Sequence, residues 1–302
     1  MESISNLIES YDAADGKSSI TALKELLKEL RRSKLRRPDI VFDNWMRVLN
    51  AESGSEVWNL YEQICIAALD NGDSNFANEC ITILLKKFPN SSRVGRLVGM
   101  QNEQCGKYEA ALEVYTDLLK KNPANLMVLK RKVCVFKAMG DTKRQIEELN
   151  ALLTQFPSEA ASWLELGEVF LSLSDNAAAA HCFEEAVLLN PVSAAYHSRL
   201  AEVYYTLGGF DNFVLARKHY AMSLQNQAAQ HNLRALYGVL YATNSAAQAT
   251  TDAANLSVDA KKSREQELRV NTEMQRWAKE QLAELANPTT NSTLELVSRA
   301  VM

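Results

Sequence analysis

Apolar residues along most of this chain recur at steps of three and four, the spacing that lays them on one face of an α-helix. The run "DTKRQIEELNALLTQFP" (141–157) places Ile146, Leu149, Leu152 and Leu153 on such a face. Near the N-terminus, "ITALKELLKELRRSKLRR" and "DIVFDNWMRVLN" predict one or two helices. Residues 258–286 predict one long amphipathic helix with Met274, Trp277, Leu282 and Leu285 on its stripe.

Punctuation between the apolar runs is periodic. Pro89, Pro123, Pro157 and Pro191 fall 34 residues apart. Gly72, Gly106, Gly140 and Gly208 share a second phase of the same period, in which position 174 carries Ser. Proline disfavours helical geometry in the residue before it, so each of these prolines marks a helix end. Glycine takes the left-handed conformation that closes a helix, and the Asp after Gly72 and Gly140 can cap the next one. Each unit therefore reads as helix A, tight turn, helix B, proline-marked turn. A lone pair cannot bury its whole apolar face, but stacked pairs can.

Residues 160–191 carry the sharpest version, with Trp163, Leu166, Gly167, Phe170, Ala179, Phe183, Ala186 and Pro191. This resembles the tetratricopeptide pattern W-x2-L-G-x2-Y…A-x3-F…P, with Phe170 in place of Tyr. The expected fold is all-α: a right-handed α-solenoid of about five tetratricopeptide (TPR) helix pairs with helical N- and C-terminal caps. Residues 1–56 would cap the start. The array would span 57–230, in units near 58–91, 92–125, 126–159, 160–193 and 194–230. The turn in "LGGFDNF" of the last unit reads as about three residues longer than the period allows. A terminal repeat helix is expected over 231–243, a linker over 244–257, and a C-terminal amphipathic helix and tail over 258–302. Trp163, packed between helices, would cost roughly 3–5 kcal/mol on truncation to Ala if fully buried.

Composition agrees with a folded chain carrying a large core: 302 residues, 47% hydrophobic and 23% charged. A net charge of −4 gives no global footprint for nucleic acid. The N-terminus "MESISNLIESYD" predicts no signal peptide, and the longest uncharged stretch, 235–251, is too polar in its second half to span a bilayer. Cys65, Cys80, Cys105, Cys134 and Cys182 form no CxxC pair and read as reduced cytosolic thiols. Asn90, Asn255 and Asn291 stand in sequons that a cytosolic chain would not use.

No catalytic or cofactor motif is present: GxxxxGK[ST], GxGxxG and HExxH are all missing. His181, His197, His219 and His231 lack metal-ligand spacing to one another. No enzymatic activity, cofactor or metal is expected. The helix A phases that would line an inner wall carry Arg93, Arg96, Met100 and Glu103 in one unit. In the next they carry Met127, Lys130, Cys134 and Lys137, with Arg131 and Lys132 adjoining. Arg93, Arg96, Lys130, Arg131, Lys132 and Lys137 are the candidate partner contacts, a basic stripe suited to an acidic segment. Lys132 stands where an apolar residue is usual. The run "RRSKLRR" (31–37) reads as a solvated helix end, with anionic lipid or RNA as the alternative.

Beyond the generic repeat, "LYEQICIAALDNG" (60–72), "KFPNSSRVGRLVGM" (87–100), "EELNALLTQF" (147–156), "LAEVYYTLGGFDNFVLARKHYAMSL" (200–224) and "LRALYGVLYA" (233–242) resemble the subunit 2 family of the endoplasmic reticulum membrane protein complex. The resemblance spans roughly 57–243. It implies a non-enzymatic scaffold, peripheral on the cytoplasmic face of the endoplasmic reticulum membrane, within a hetero-oligomer that inserts tail-anchored and multi-pass membrane proteins. It implies partners among the other subunits, chiefly 3, 5 and 8 or 9. The alternative is a generic TPR adaptor or chaperone co-receptor binding an acidic tail. That clamp usually needs Lys and Asn four residues apart on one helix A. The corresponding positions read Glu62/Ile66, Arg96/Met100, Lys130/Cys134, Leu164/Glu168 and Ser198/Glu202.

Overall fold

A computed structural model of the chain describes residues 2–13, 19–226, 232–249 and 258–285, and among these it contains fifteen α-helices and no strand. Three helices, α1 (Glu2–Ala13), α2 (Ile20–Ser33) and α3 (Pro38–Ala51), precede the periodic region. The repeat pairs follow: α4 (Glu56–Asp70) with α5 (Ser74–Lys87), and α6 (Ser92–Gln104) with α7 (Tyr108–Lys121). Next come α8 (Leu126–Met139) with α9 (Thr142–Gln155), α10 (Ala160–Ser172) with α11 (Asn176–Leu189), and α12 (Ala194–Leu207) with α13 (Phe210–Asn226). Two more helices, α14 (Leu233–Gln248) and α15 (Val258–Leu285), end the described chain. The molecule divides into two compact units, residues 1–148 and 149–302.

Local sterics place the breaks. α5, α7, α9 and α11 each stop two residues before their proline. Gly72, Gly106, Gly140 and Gly208 all have positive φ, and Ser174, at the phase without glycine, adopts the same left-handed backbone at φ 61°. The repeat thus keeps the same turn backbone even where the residue disfavours it. Asp73 and Asp141 accept hydrogen bonds from the backbone N–H groups of Phe76 and Arg144, each at 3.0 Å, and so cap α5 and α9.

The first unit is built around one apolar cluster running from Ile4 to Met100. A second cluster joins Ala111, Tyr115, Leu118, Val128 and Val135. Tyr115 is fully buried and lies against Gly99, whose missing side chain makes room for the ring. In the second unit Phe183 lies against Gly167 in the same way: a Cβ there would meet the ring at 2.9 Å. Leu149, Leu152 and Leu153 of the expected α9 face are buried, while Ile146 is half-buried and Gln145 takes a buried place beside it.

Five expectations change. The N-terminal region has three helices, not one or two. Lys34 ends α2 in the left-handed conformation, Pro38 starts α3, and α1 packs Ile4, Leu7, Ile8 and Tyr11 onto the same core. The α12–α13 turn is not long: Gly208 and Gly209, both at positive φ, reverse the chain in two residues. The extra length lies in α13, which has 17 residues against 14 in α5, α7, α9 and α11. α14 runs on to Gln248 because Ala242, Thr243 and Ala246 are buried, so 244–248 are helical rather than linker. Trp163 is only half-buried, its indole N–H donating to the Pro157 carbonyl at 2.9 Å, so its truncation costs less than a full core site. On α15, Trp277 points outward and Ala278 and Leu282 are buried. Arg217 of α13, 4% exposed, needs polar partners and finds them in Asn271 and Glu267, which sets the rotation of α15. Residues 250–257 and 286–302, with His231, Asn255, Pro288 and Asn291, lie outside the described residues.

The stacking also joins two distant histidines. His197 is buried, and its Nε2–H donates to the Pro191 carbonyl at 3.0 Å. Its Nδ1 therefore carries the lone pair that meets Nδ1 of His219, 3.0 Å away. Burial, with His197 beside it, pushes His219 down to about 4.

Two outcomes are expected. Gly99→Ala would drive a Cβ into the Tyr115 ring; overpacking outweighs the gain in helix propensity, and a loss of about 1–2 kcal/mol in urea unfolding is expected. An unchanged or raised midpoint would refute this packing. His219 in the unfolded chain takes up its proton near 6.5 while the folded chain resists until about 4, so the unfolded state binds more protons in that window. Stability should fall as pH drops from 6.5 toward 4, and His219→Gln should flatten that part of the profile.

Candidate functional site

A concavity with mixed chemistry lies within the first unit and has a volume of about 560 Å³. Five structural pieces build it, one of them the start of α3 with Pro38 and Val41. The end of α2 and the loop after it bring Arg31, Lys34, Leu35, Arg36 and Arg37. α4 supplies a wall with Asn59, Glu62, Gln63, Ile66 and Asp70. α6 adds Arg93, Arg96 and Met100, and α8 adds Met127 and Arg131. Within the first unit α4, α6 and α8 lie side by side, so residues about 34 apart become neighbours across the groove.

Ion pairs between these elements orient the cations. Glu62 accepts from both Arg93 and Arg96, the latter at 3.1 Å. Arg31 reaches Gln63 at 2.8 Å and Glu56 at 3.1 Å, and Arg36 reaches Asp70 at 3.0 Å. Arg37 pairs with Asp39, whose carboxyl is held below its usual range chiefly by that hydrogen bond. Glu103 takes Arg131 through Nε at 3.1 Å and also the Tyr115 hydroxyl. Burial first, and then the Glu103 bond, push the Tyr115 phenol far above its ordinary value, so it remains a neutral donor.

The structure separates the candidate residues read from the sequence. Arg93, Arg96 and Arg131 line the groove; Lys130, Lys132 and Lys137, also on α8, do not. Lys132 turns to Glu148 at 2.5 Å, with its ammonium 6.0 Å from the Phe136 ring centre. Its place among apolar positions is therefore answered inside the repeat. The run 31–37, read from sequence as a separate solvated end, forms the other wall of the same groove. Nothing in local sequence joins Arg31 to Arg131; only the stacking of α2, α4, α6 and α8 does.

Conventional chemistry is poorly supplied. Among the described residues, no group of three or more His, Cys, Asp or Glu could hold a metal ion. Burial pushes the Cys65 thiol up to about 12 and those of Cys80 and Cys182 up to about 11, so at neutral pH they are protonated and poor nucleophiles. No described helix is long and apolar enough to cross a membrane. What the site offers is a shaped, charged surface.

Comparison with known proteins gives a consistent result. The profile of the family described as the EMC2 TPR-like repeat domain matches residues 78–226. ER membrane protein complex subunit 2-A of Xenopus laevis is 37% identical over 220 residues, covering 72% of this chain and 73% of that protein. ER membrane protein complex subunit 2 of Dictyostelium discoideum is 28% identical over 208 residues, covering 67% of this chain and 65% of that protein. Two solved structures share the fold alone. The C-terminal part of a TPR repeat-containing protein from Cytophaga hutchinsonii aligns with TM-score 0.53 and 13% identity over 91% of this chain and 98% of that one. Pseudomonas aeruginosa pilF aligns with TM-score 0.51 and 18% identity over 82% of this chain and 98% of that one. With its all-α TPR solenoid and this identity across most of both chains, the chain belongs to the ER membrane protein complex subunit 2 family.

Proposed function

We propose that this chain is a non-enzymatic scaffold subunit of an endoplasmic reticulum membrane protein complex. It sits on the cytoplasmic face, bound peripherally through partner subunits. There it holds cytosolic segments of the membrane-embedded subunits, chiefly 3 and 5, together with 8 or 9, while the complex inserts tail-anchored and multi-pass proteins. The observation that carries this reading is the 37% identity to the Xenopus laevis subunit over 73% of that protein's length.

The physical properties support it. Stacked helix pairs bring successive helix A side chains to one groove within the first unit, which suits binding chain segments better than enclosing a small substrate. The buried thiols are protonated, and no described helix is long and apolar enough to cross a membrane, which fits attachment through partners. Arg93, Arg96 and Arg131 are the proposed contacts in the groove, with Lys130 and Lys137 beside them on α8; Lys132 is committed to Glu148.

Affinity purification of the tagged chain from membranes solubilised in mild detergent tests the proposal. A stoichiometric set of endoplasmic reticulum membrane subunits should be recovered. Recovery of soluble chaperones alone would replace this reading with that of a generic adaptor.

A further inference from the structure

We propose that the groove of the first unit selects an acidic peptide segment that carries apolar side chains between its carboxylates. This deepens the scaffold reading and rests on it: such a segment would belong to a partner subunit.

Charge is the first argument. Seven Arg and Lys side chains line the groove against two carboxylates, Glu62 and Asp70, in a chain whose net charge is −4. The carboxylates that lie behind the lining orient these cations without matching them one for one. Glu62 alone is divided between Arg93 and Arg96. The side chains of Arg36 and Arg93 are 57% and 63% exposed, so each keeps N–H groups toward solvent after its internal pair is made. Lys34 is exposed, and no ion pair engages it among the described residues. An incoming carboxylate would find several donors already aimed, and a bidentate guanidinium contact demands little reordering.

Apolar surface is the second. The floor between the cations is formed by Val41, Ile66 and Met100, and the rims carry exposed Leu35 and Met127. Val41 and Met100 are already buried, but a purely anionic ligand would leave Leu35 and Met127 uncovered; a segment with Leu- or Met-like side chains among its carboxylates covers them and meets the cations together. A cavity of about 560 Å³ takes a few side chains of a segment, not a folded domain.

Shape and composition disfavour the other anionic partners. Arg96 and Arg131 are recessed, with side chains only 18% and 26% exposed, where a planar membrane surface does not reach. The lining contains no aromatic residue, so exposed nucleic-acid bases would find no stacking platform.

The test uses the purified full chain and fluorescence anisotropy. The probe is a short fluorescein-labelled peptide of glutamate and leucine, compared with a glutamine–leucine and a glutamate–serine counterpart. Vesicles of phosphatidylserine and phosphatidylcholine serve as the lipid alternative. The glutamate–leucine peptide should bind about tenfold tighter than either counterpart, and its affinity should fall with added salt. The double substitution Lys34→Glu with Arg93→Gln should weaken it about tenfold while leaving the thermal melt unchanged. If that variant melts early, Arg36→Gln alone is read instead, with a loss of about threefold expected. Equal binding of the glutamine peptide, capture by vesicles without peptide binding, or full affinity in a folded variant overturns the proposal. Should any of these occur while the tagged chain still recovers its membrane subunits, the scaffold reading stands and only the acidic groove falls. Failure of that recovery removes the scaffold reading itself.

Discussion

Close approach between paired helices underlies the remaining structure. Where Tyr115 meets Gly99 and Phe183 meets Gly167, a ring fills the volume that a side chain would otherwise occupy. The helices of a pair can then approach until their small residues touch, and the next pair closes over the rings. Ala111, Ala179 and Ala186, all fully buried, continue this seam. Without it each pair would keep an unburied apolar face, because two short helices have too little surface to cover it themselves. Turn geometry, helix length and the positions of the charged rows follow from this spacing. Ser174 keeps the same turn at positive φ, against its own preference, as the backbone N–H groups of Ser174 and Asp175 donate to the Leu171 and Phe170 carbonyls and close α10.

The fixed spacing makes the inter-repeat electrostatics possible. Glu62 with Arg93 and Arg96, and Glu103 with Arg131, connect helix A of one repeat to helix A of the next. In the second unit Arg199 of α12 joins Glu168 of α10 in the same manner, and within its own helix it meets Glu202 at 2.8 Å. Pairs with an exposed member, such as Arg93–Glu62 and Arg199–Glu168, add little net stability individually. Their effect is to fix where long side chains point, so that a surface that would otherwise be a set of mobile cations becomes an ordered array. An ordered array suits a scaffold, whose task is to hold a segment in one register and not to transform it.

Membership of the ER membrane protein complex subunit 2 family agrees with this physical picture. Among the described residues, burial keeps the thiols of Cys65, Cys80 and Cys182 protonated. His219, lowered to about 4 by burial beside His197, stays uncharged at neutral pH and serves packing. At the far end, the buried Arg217 with Glu267 and Asn271 seats α15 against the helices before it.

The sequence by itself determined the helical class, the 34-residue period, and the prolines and glycines that end helices. These depend on the sterics of single residues and on periodicity, which are present in the chain before it folds. Tertiary structure alone decided the extra length of α13, the outward turn of Trp277, the half-exposure of Trp163 and the engagement of Lys132 with Glu148. It also decided that the 31–37 run and Arg93, Arg96 and Arg131 share one groove. Each of those outcomes depends on which helix lies opposite, and a residue's type specifies what it can tolerate but not which neighbour the stacking will bring to it.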